Sequence, residues 1–223
     1  MTEENGMQDR FAFPEYGKLL DGRRVWICRC PEDLAEGIEA LFRDQGAEVF
    51  RGEQPPEDTD VLVCGTGEEE PAPDETAASL SARWVGGTEA AIAACRPRML
   101  ERRYGTVVQL LPPWSDHAVP GRTAQTAAAG ALAALIRAFA AEACRWHVRA
   151  NCISLPFSMC AEGWDPDLQL LRRPGTPEDV AMAALYLASP MSAFHLSKQR
   201  GFRLFRFYMA AVLQVCQMHF ALP

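Results

Sequence analysis

A doubly wound parallel α/β sheet flanked by helices is the fold this sequence predicts, and three observations predict it. Short apolar runs of strand character at 24–28, 46–50, 60–64, 106–111 and 148–154 alternate with longer stretches whose apolar residues keep helical spacing. The first two runs and the stretch between them read as one βαβ unit. The third observation is an alanine-rich segment at 121–142, GRTAQTAAAGALAALIRAFAAE, long enough for about six helical turns. With 223 residues, 48% of them hydrophobic and 23% charged, the chain has room for one well-buried domain.

The elements follow in order. Residues 1–20 are polar and then Phe-rich, and read as an N-terminal arm before a domain at 21–197. Asp21-Gly22 makes a turn into the first strand. Pro31-Glu32-Asp33 opens a helix carrying Leu34, Ile38, Leu41 and Phe42 at helical spacing. Only nine residues (RGEQPPEDT) separate Phe50 from Asp60. The acidic, Pro-broken stretch 67–75 is a solvated loop. A long helix at 76–102 and a buried strand at 106–111 come next. In the alanine-rich helix, Leu132, Leu135, Ile136 and Phe139 form the core stripe, while Ala127, Ala131, Ala134 and Ala138 make a small-residue face. Thr176, with Glu178 and Asp179 in the first turn, caps the last predicted helix. Residues 198–223 form a divergent, apolar C-terminal segment that reads as packing or interface. Its apolar part, after Arg206, falls short of the about twenty residues a bilayer span needs.

Composition narrows the function. A net charge of -7 leaves no basic footprint for a nucleic acid, and the first residues lack the regions of a signal peptide, so the expected location is cytoplasmic. The eight cysteines show no Cys-x-x-Cys pair and no histidine at ligand spacing; they read as structural thiols, with no metal site. Ser115, Asp116 and His117 are consecutive, and three consecutive side chains do not face one another as a triad must.

Several ordered features resemble the short-chain dehydrogenase/reductase (SDR) family. These are Gly46-Ala47 with Val49 before the second strand, Pro97 with Met99 ending the long helix, and the Ala-Leu run closing on Glu142 and followed by Arg149 and Asn151. Pro177-Glu178-Asp179-Val180-Ala181 is the sharpest of them. The resemblance spans about residues 22–197 and implies a Rossmann-like sheet. Its edge strand and the neighbouring helices are shortened or missing, because the family places about thirty residues where nine stand here.

The same resemblance implies lost chemistry. The family's catalytic tyrosine and lysine fall on Gln125 and Ala129, its serine on Pro112, and its helix asparagine on Trp84, whose indole would fill the space of a proton-relay water. An amide such as Gln125 does not titrate near neutral pH. The glycines that let a backbone touch a cofactor diphosphate fall on Cys28, Arg29, Asp33 and Ala35, and Asp33 would repel that diphosphate. Arg29 is expected to pair with Glu32 or Asp33. No cofactor is therefore expected in this chain, with NAD(P) held by a partner subunit.

The implied function is a catalytically silent SDR-like subunit assembled with a homologous catalytic SDR subunit through helices 76–102 and 123–146. Companions of heteromeric members such as 2-(hydroxyphenylmethyl)succinyl-CoA dehydrogenase are the kind of protein meant. Two alternatives use the old cleft differently. One is a dinucleotide-independent enzyme whose pocket is lined by Cys64, Trp84, Trp114, Ser115, His117 and Gln125; the other is a sensor of a small molecule or acyl-CoA.

Overall fold

The structure, a computed structural model, describes residues 17–67, 71–72, 74–115, 120–155 and 173–193. The arm before Gly17, His117, the stretch around Cys160 and the C-terminal segment lie outside the described residues. The elements are β1 (Arg24–Cys28), α1 (Glu32–Asp44), β2 (Glu48–Arg51), β3 (Val61–Cys64) and α2 (Ala77–Arg102). They continue with β4 (Gly105–Leu111), α3 (Thr123–Ala143), β5 (Val148–Ser154) and α4 (Pro177–Ala188).

All five strands run parallel in the order β2-β1-β3-β4-β5. The doubly wound sheet expected from the sequence is present, and the short connection between β2 and β3 carries no helix. Side chains alternate across the strands. Val25, Ile27, Val61, Val63, Val108 and Leu110 face α1 and α4 in one core layer. Trp26, Cys28, Leu62, Cys64 and Val107 face α2 and α3 in the other. Burial on both faces explains why these strands read as continuous apolar runs.

Local chemistry sets the element ends. The second strand starts at Glu48 because Gly46 sits at φ +88, a left-handed turn in which a Cβ would lie 3.0 Å from the Asp21 Cα. Thr76 caps α2 by accepting from the Ser79 N–H at 3.2 Å. Thr176 and Asp179 form a reciprocal capping box on α4, and Arg173 holds the Asp179 carboxyl below its usual range through a charged hydrogen bond.

Two arginine anchors tie the layers together at the edge opposite the strands' C-terminal ends. Arg102, ending α2, reaches the buried Asp60 carboxylate at 2.6 Å, and the other carboxylate oxygen accepts from the Arg24 N–H at 3.0 Å. Arg149 of β5 closes the far end of α4, donating to the carbonyls of Leu187 at 2.9 Å, Ser192 at 3.1 Å and Ser189 at 3.2 Å. Helices leave their last carbonyls without intrahelical partners, and here one guanidinium supplies them.

Candidate functional site

In an open parallel sheet, ligand crevices form beyond the strand C-termini where the strand order reverses. Here the chain leaves β1 on one side for β2 and returns on the other for β3. A cleft of about 1090 Å³ opens at that point. Its rim is the Cys28-Arg29-Cys30 turn, Arg51 and Gly52 after β2, and Thr66 and Gly67 after β3. Its wall is the small-residue face of α2, with Gly87, Ala90, Ala91 and Ala94. The short β2–β3 connection leaves this wall facing the cleft.

Arg29 sits at φ 56, a left-handed conformation that L residues adopt at a cost of about 1–2 kcal/mol. The expected pairing with Glu32 or Asp33 is not what the structure shows. The guanidinium instead crosses to α2 and donates to the Thr66 carbonyl at 3.3 Å and the Arg83 carbonyl at 2.9 Å. Glu32 pairs with Arg51. Gly87 explains the route: a Cβ there would lie 2.2 Å from the Arg29 Cζ, so the helix accepts a glycine to seat the guanidinium. Carbonyls reached across the fold win over flanking carboxylates because those carboxylates are already committed elsewhere.

The residues at this turn do not fit a dinucleotide. Pro31, at the N-cap of α1, has no N–H to offer. The Leu34 N–H goes to the Asp33 carboxylate at 2.9 Å, and the Ala35 N–H to the Pro31 carbonyl at 2.9 Å. One first-turn amide is thus turned to a side chain of the same helix, and Glu32 and Asp33 bring negative charge to the end where a diphosphate would sit. Gly65 seals the turn from the other side, because its backbone packs so closely that a Cβ would lie 2.3 Å from the Arg29 carbonyl oxygen. Gly65→Ala is expected to destabilise the fold by about 2 kcal/mol or more, since rigid backbone, not a side chain, must yield. A urea midpoint unchanged from the parent protein would contradict this.

The four positions aligned with the family's chemistry lie elsewhere. Trp84 and Ala129, 3% and 0% exposed, pack in one apolar cluster with Leu80, Leu111, Ala128 and Leu132. Pro112 follows directly on Leu111 and is buried. Gln125 lies one helical turn before Ala128 and Ala129 and is 6% exposed. This region therefore offers hydrocarbon and an indole where acid–base chemistry needs titrating groups.

The cleft and this cluster are separate places. Cys28, Arg29 and Ala35 line the cleft, whereas Asp33, Trp84, Ser115 and Gln125 are not among its lining residues. Cys64 lies fully buried in the core layer of α2 and α3, and Ser115 hydrogen-bonds Ser154 at 3.0 Å. Of the six residues expected to line the pocket of a dinucleotide-independent enzyme, Cys64 and Trp84 lie in different core clusters, and His117 lies outside the described residues. Among the described residues no group of three or more His, Cys, Asp or Glu could hold a metal ion.

Sequence reasoning missed a buried polar chain beside the cleft. Thr88 and Gln109 are both 0% exposed; the Thr88 hydroxyl donates to Gln109 Oε1 at 3.0 Å, and Gln109 Nε2 donates to the Leu110 carbonyl at 2.9 Å. The available signal was a lone glutamine inside the apolar run TVVQLL.

Comparisons with known proteins agree with this geometry. A family model described as enoyl-(acyl carrier protein) reductase matches residues 72–197. A protein of Xanthobacter autotrophicus named inactive 2-(S)-hydroxypropyl-CoM dehydrogenase 2 is 32% identical over 147 residues, covering 59% of this chain and 64% of that protein. From the same organism, 2-(S)-hydroxypropyl-CoM dehydrogenase 3 is 33% identical over 126 residues, 49% of each chain. This chain thus spans less than two thirds of the length of these curated relatives. A solved structure titled short chain dehydrogenase/reductase family protein superposes with a TM-score of 0.68 at 22% identity, covering 80% of this chain and 94% of that one.

Proposed function

This chain belongs to the short-chain dehydrogenase/reductase family, and from that premise we propose that it is a catalytically silent member, acting as a structural companion to a competent subunit. One observation carries the reading: Trp84 and Ala129, the positions that the family resemblance aligns with reactive groups, share an apolar cluster with Leu111. Among the described residues of that cluster there is no acid, base or cation to move a proton. The relative named as inactive supports the same reading. NAD(P) belongs to the partner, because the first turn of α1 carries negative charge and turns one amide to its own side chain.

The surface for assembly is the outer side of α2 and α3. The segment Thr123–Trp146 is the one helix among the described residues that is long and apolar enough, by length and composition, to cross a membrane. Its best window has a mean hydropathy of 1.5, of which 39% is buried. Leu132, Ile136 and Phe139 fill the core, leaving Ala127, Ala131, Ala134 and Ala138 exposed. Small side chains there allow a second helix pair to approach closely, as in the helix–helix interface that the family resemblance implies.

The test is to mix the purified chain with a catalytic SDR from the same source and follow mass by light scattering during gel filtration. A hetero-oligomer is expected, and Ala131→Arg should weaken it at least about tenfold, or about 1.4 kcal/mol, without lowering the melting temperature of the isolated chain. A strictly self-associating protein that alone turns over a carbonyl substrate with NAD(P)H would overturn the proposal. In a thermal-shift screen NAD and NADP should leave the melting temperature unchanged; a clear shift with either would contradict the reading of the β1–α1 turn.

The size of the cleft favours a second reading, a sensor of a small molecule or acyl-CoA. About 1090 Å³ reaches the upper range of ligand pockets, roughly 300–1,000 Å³. A shift with acyl-CoAs but not with NAD or NADP would favour this reading.

A further inference from the structure

Beside the cleft lies a pair of thiols that the companion role does not use. Cys28 and Cys64 end β1 and β3 and stand directly opposite each other in the parallel register. Neighbouring strands lie about 4.8 Å apart, which falls within the roughly 4.4–6.8 Å that a disulfide spans between Cα atoms. Register partners point to the same face, and both residues belong to the core layer against α2 and α3. Cys28 lines the cleft, while Cys64 lies behind it with its Sγ 3.7 Å from the Thr88 hydroxyl. The polar chain Cys64, Thr88, Gln109 therefore runs from behind the cleft into the apolar core.

We propose that Cys28 and Cys64 form a reversible dithiol–disulfide pair, oxidised by hydrogen peroxide entering through the cleft. The pair first gives up one proton. With the other proton on Cys28, the Cys64 thiolate attacks peroxide that has entered past Cys28, the O–O bond breaks, and Cys64 becomes a sulfenic acid with release of hydroxide. The Cys28 sulfur then displaces the sulfenic oxygen, which leaves as water with the Cys28 proton, and the S–S bond forms. Hydroxide takes up the first proton, so two thiols and one peroxide give one disulfide and two waters.

The neighbourhood favours this pair over its alternatives. The neighbouring Cys28 thiol lowers the Cys64 pKa, with Thr88 and Arg29 acting in the same direction. The same contact, with burial, pushes Cys28 up, as expected when two thiols share one charge. Cys30 lies in the opposite core layer, with its thiol on the Cys28 carbonyl, and burial raises it. Burial likewise pushes Cys95, on α2, up to about 11.

Trypsin separates these residues: Cys28 falls in the fragment 25–29, Cys30 in 30–43, Cys64 in 52–83 and Cys95 in 84–98. The full-length folded protein is treated with hydrogen peroxide, its free thiols are blocked with iodoacetamide in denaturant, and it is digested without reduction. The expected product is fragment 25–29 joined to 52–83, lighter by two hydrogens than the free pair. It should be released by dithiothreitol and be at least about tenfold more abundant than any link to Cys30 or Cys95, neither of which is a register partner of Cys28 or Cys64. Full alkylation of Cys28 and Cys64 while the exposed Cys144 is oxidised would overturn the proposal, and so would a dominant link from Cys28 to Cys30. The peptide map uses the unaltered chain, so its result is independent of whether the chain pairs with a catalytic subunit.

Discussion

Replacing Arg149 with alanine is expected to lower stability by about 4 kcal/mol, close to the whole margin of a weakly stable domain. The side chain is largely enclosed, and burial lowers its pKa from the ordinary arginine value, yet a guanidinium remains charged at any working pH. Its donors serve the carbonyls of Leu187, Ser189 and Ser192, the Ser192 hydroxyl at 2.6 Å and the Thr106 hydroxyl at 3.0 Å. Truncation removes all five of these contacts at the junction of β4, β5 and α4, and leaves Leu187 and Ser189 only the weaker donors of Ser192. Lysine should recover little, since an ammonium is a point charge and cannot fork across several carbonyls. Urea unfolding followed by circular dichroism measures the change, and a loss below about 1 kcal/mol, the size of one ordinary hydrogen bond, would refute the anchoring role.

Restoring the family's reactive pair by Gln125→Tyr with Ala129→Lys is expected to damage the protein without creating a dehydrogenase. Ala129 is completely enclosed by Trp84, Leu80, Leu111, Ala128 and Leu132. Among the described residues of that cluster a lysine has no carboxylate to meet, and it must either lose its proton or force the cluster open, a cost of about 4 kcal/mol. The neighbouring Pro112 still lacks a hydroxyl to orient a carbonyl. Soluble yield and melting temperature should both fall, and NADPH-dependent carbonyl reduction should stay at the background rate. A double variant that melts like the parent and reduces a carbonyl would show that the old catalytic centre is intact beneath the substitutions.

Most of the frame was legible because its signals are local. Short continuous apolar runs placed the strands, and Thr176 marked a helix start through a hydroxyl that acts within one turn. The substitutions at Trp84, Pro112, Gln125 and Ala129 were visible only through the family resemblance, since nothing in their local pattern departs from ordinary helix and loop. Arg29 was misread because proximity in sequence favours Glu32 and Asp33, whereas its partners Thr66 and Arg83 lie 37 and 54 positions away. The facing of Cys28 and Cys64 was equally hidden. It depends on which strands become neighbours, a property of topology that no single stretch encodes.

The nine-residue link between β2 and β3 also bears on how the chain folds. Closing a loop of nine residues in place of about thirty costs about 1 kcal/mol less chain entropy. It also shortens the sequence separation between β1 and its partner β3, which favours faster pairing. Under the proposed function the chain holds no dinucleotide, and it then forgoes the mass-action stabilisation that a tightly held cofactor confers on a folded state. The shortened crossover offsets part of that loss from the unfolded side of the equilibrium.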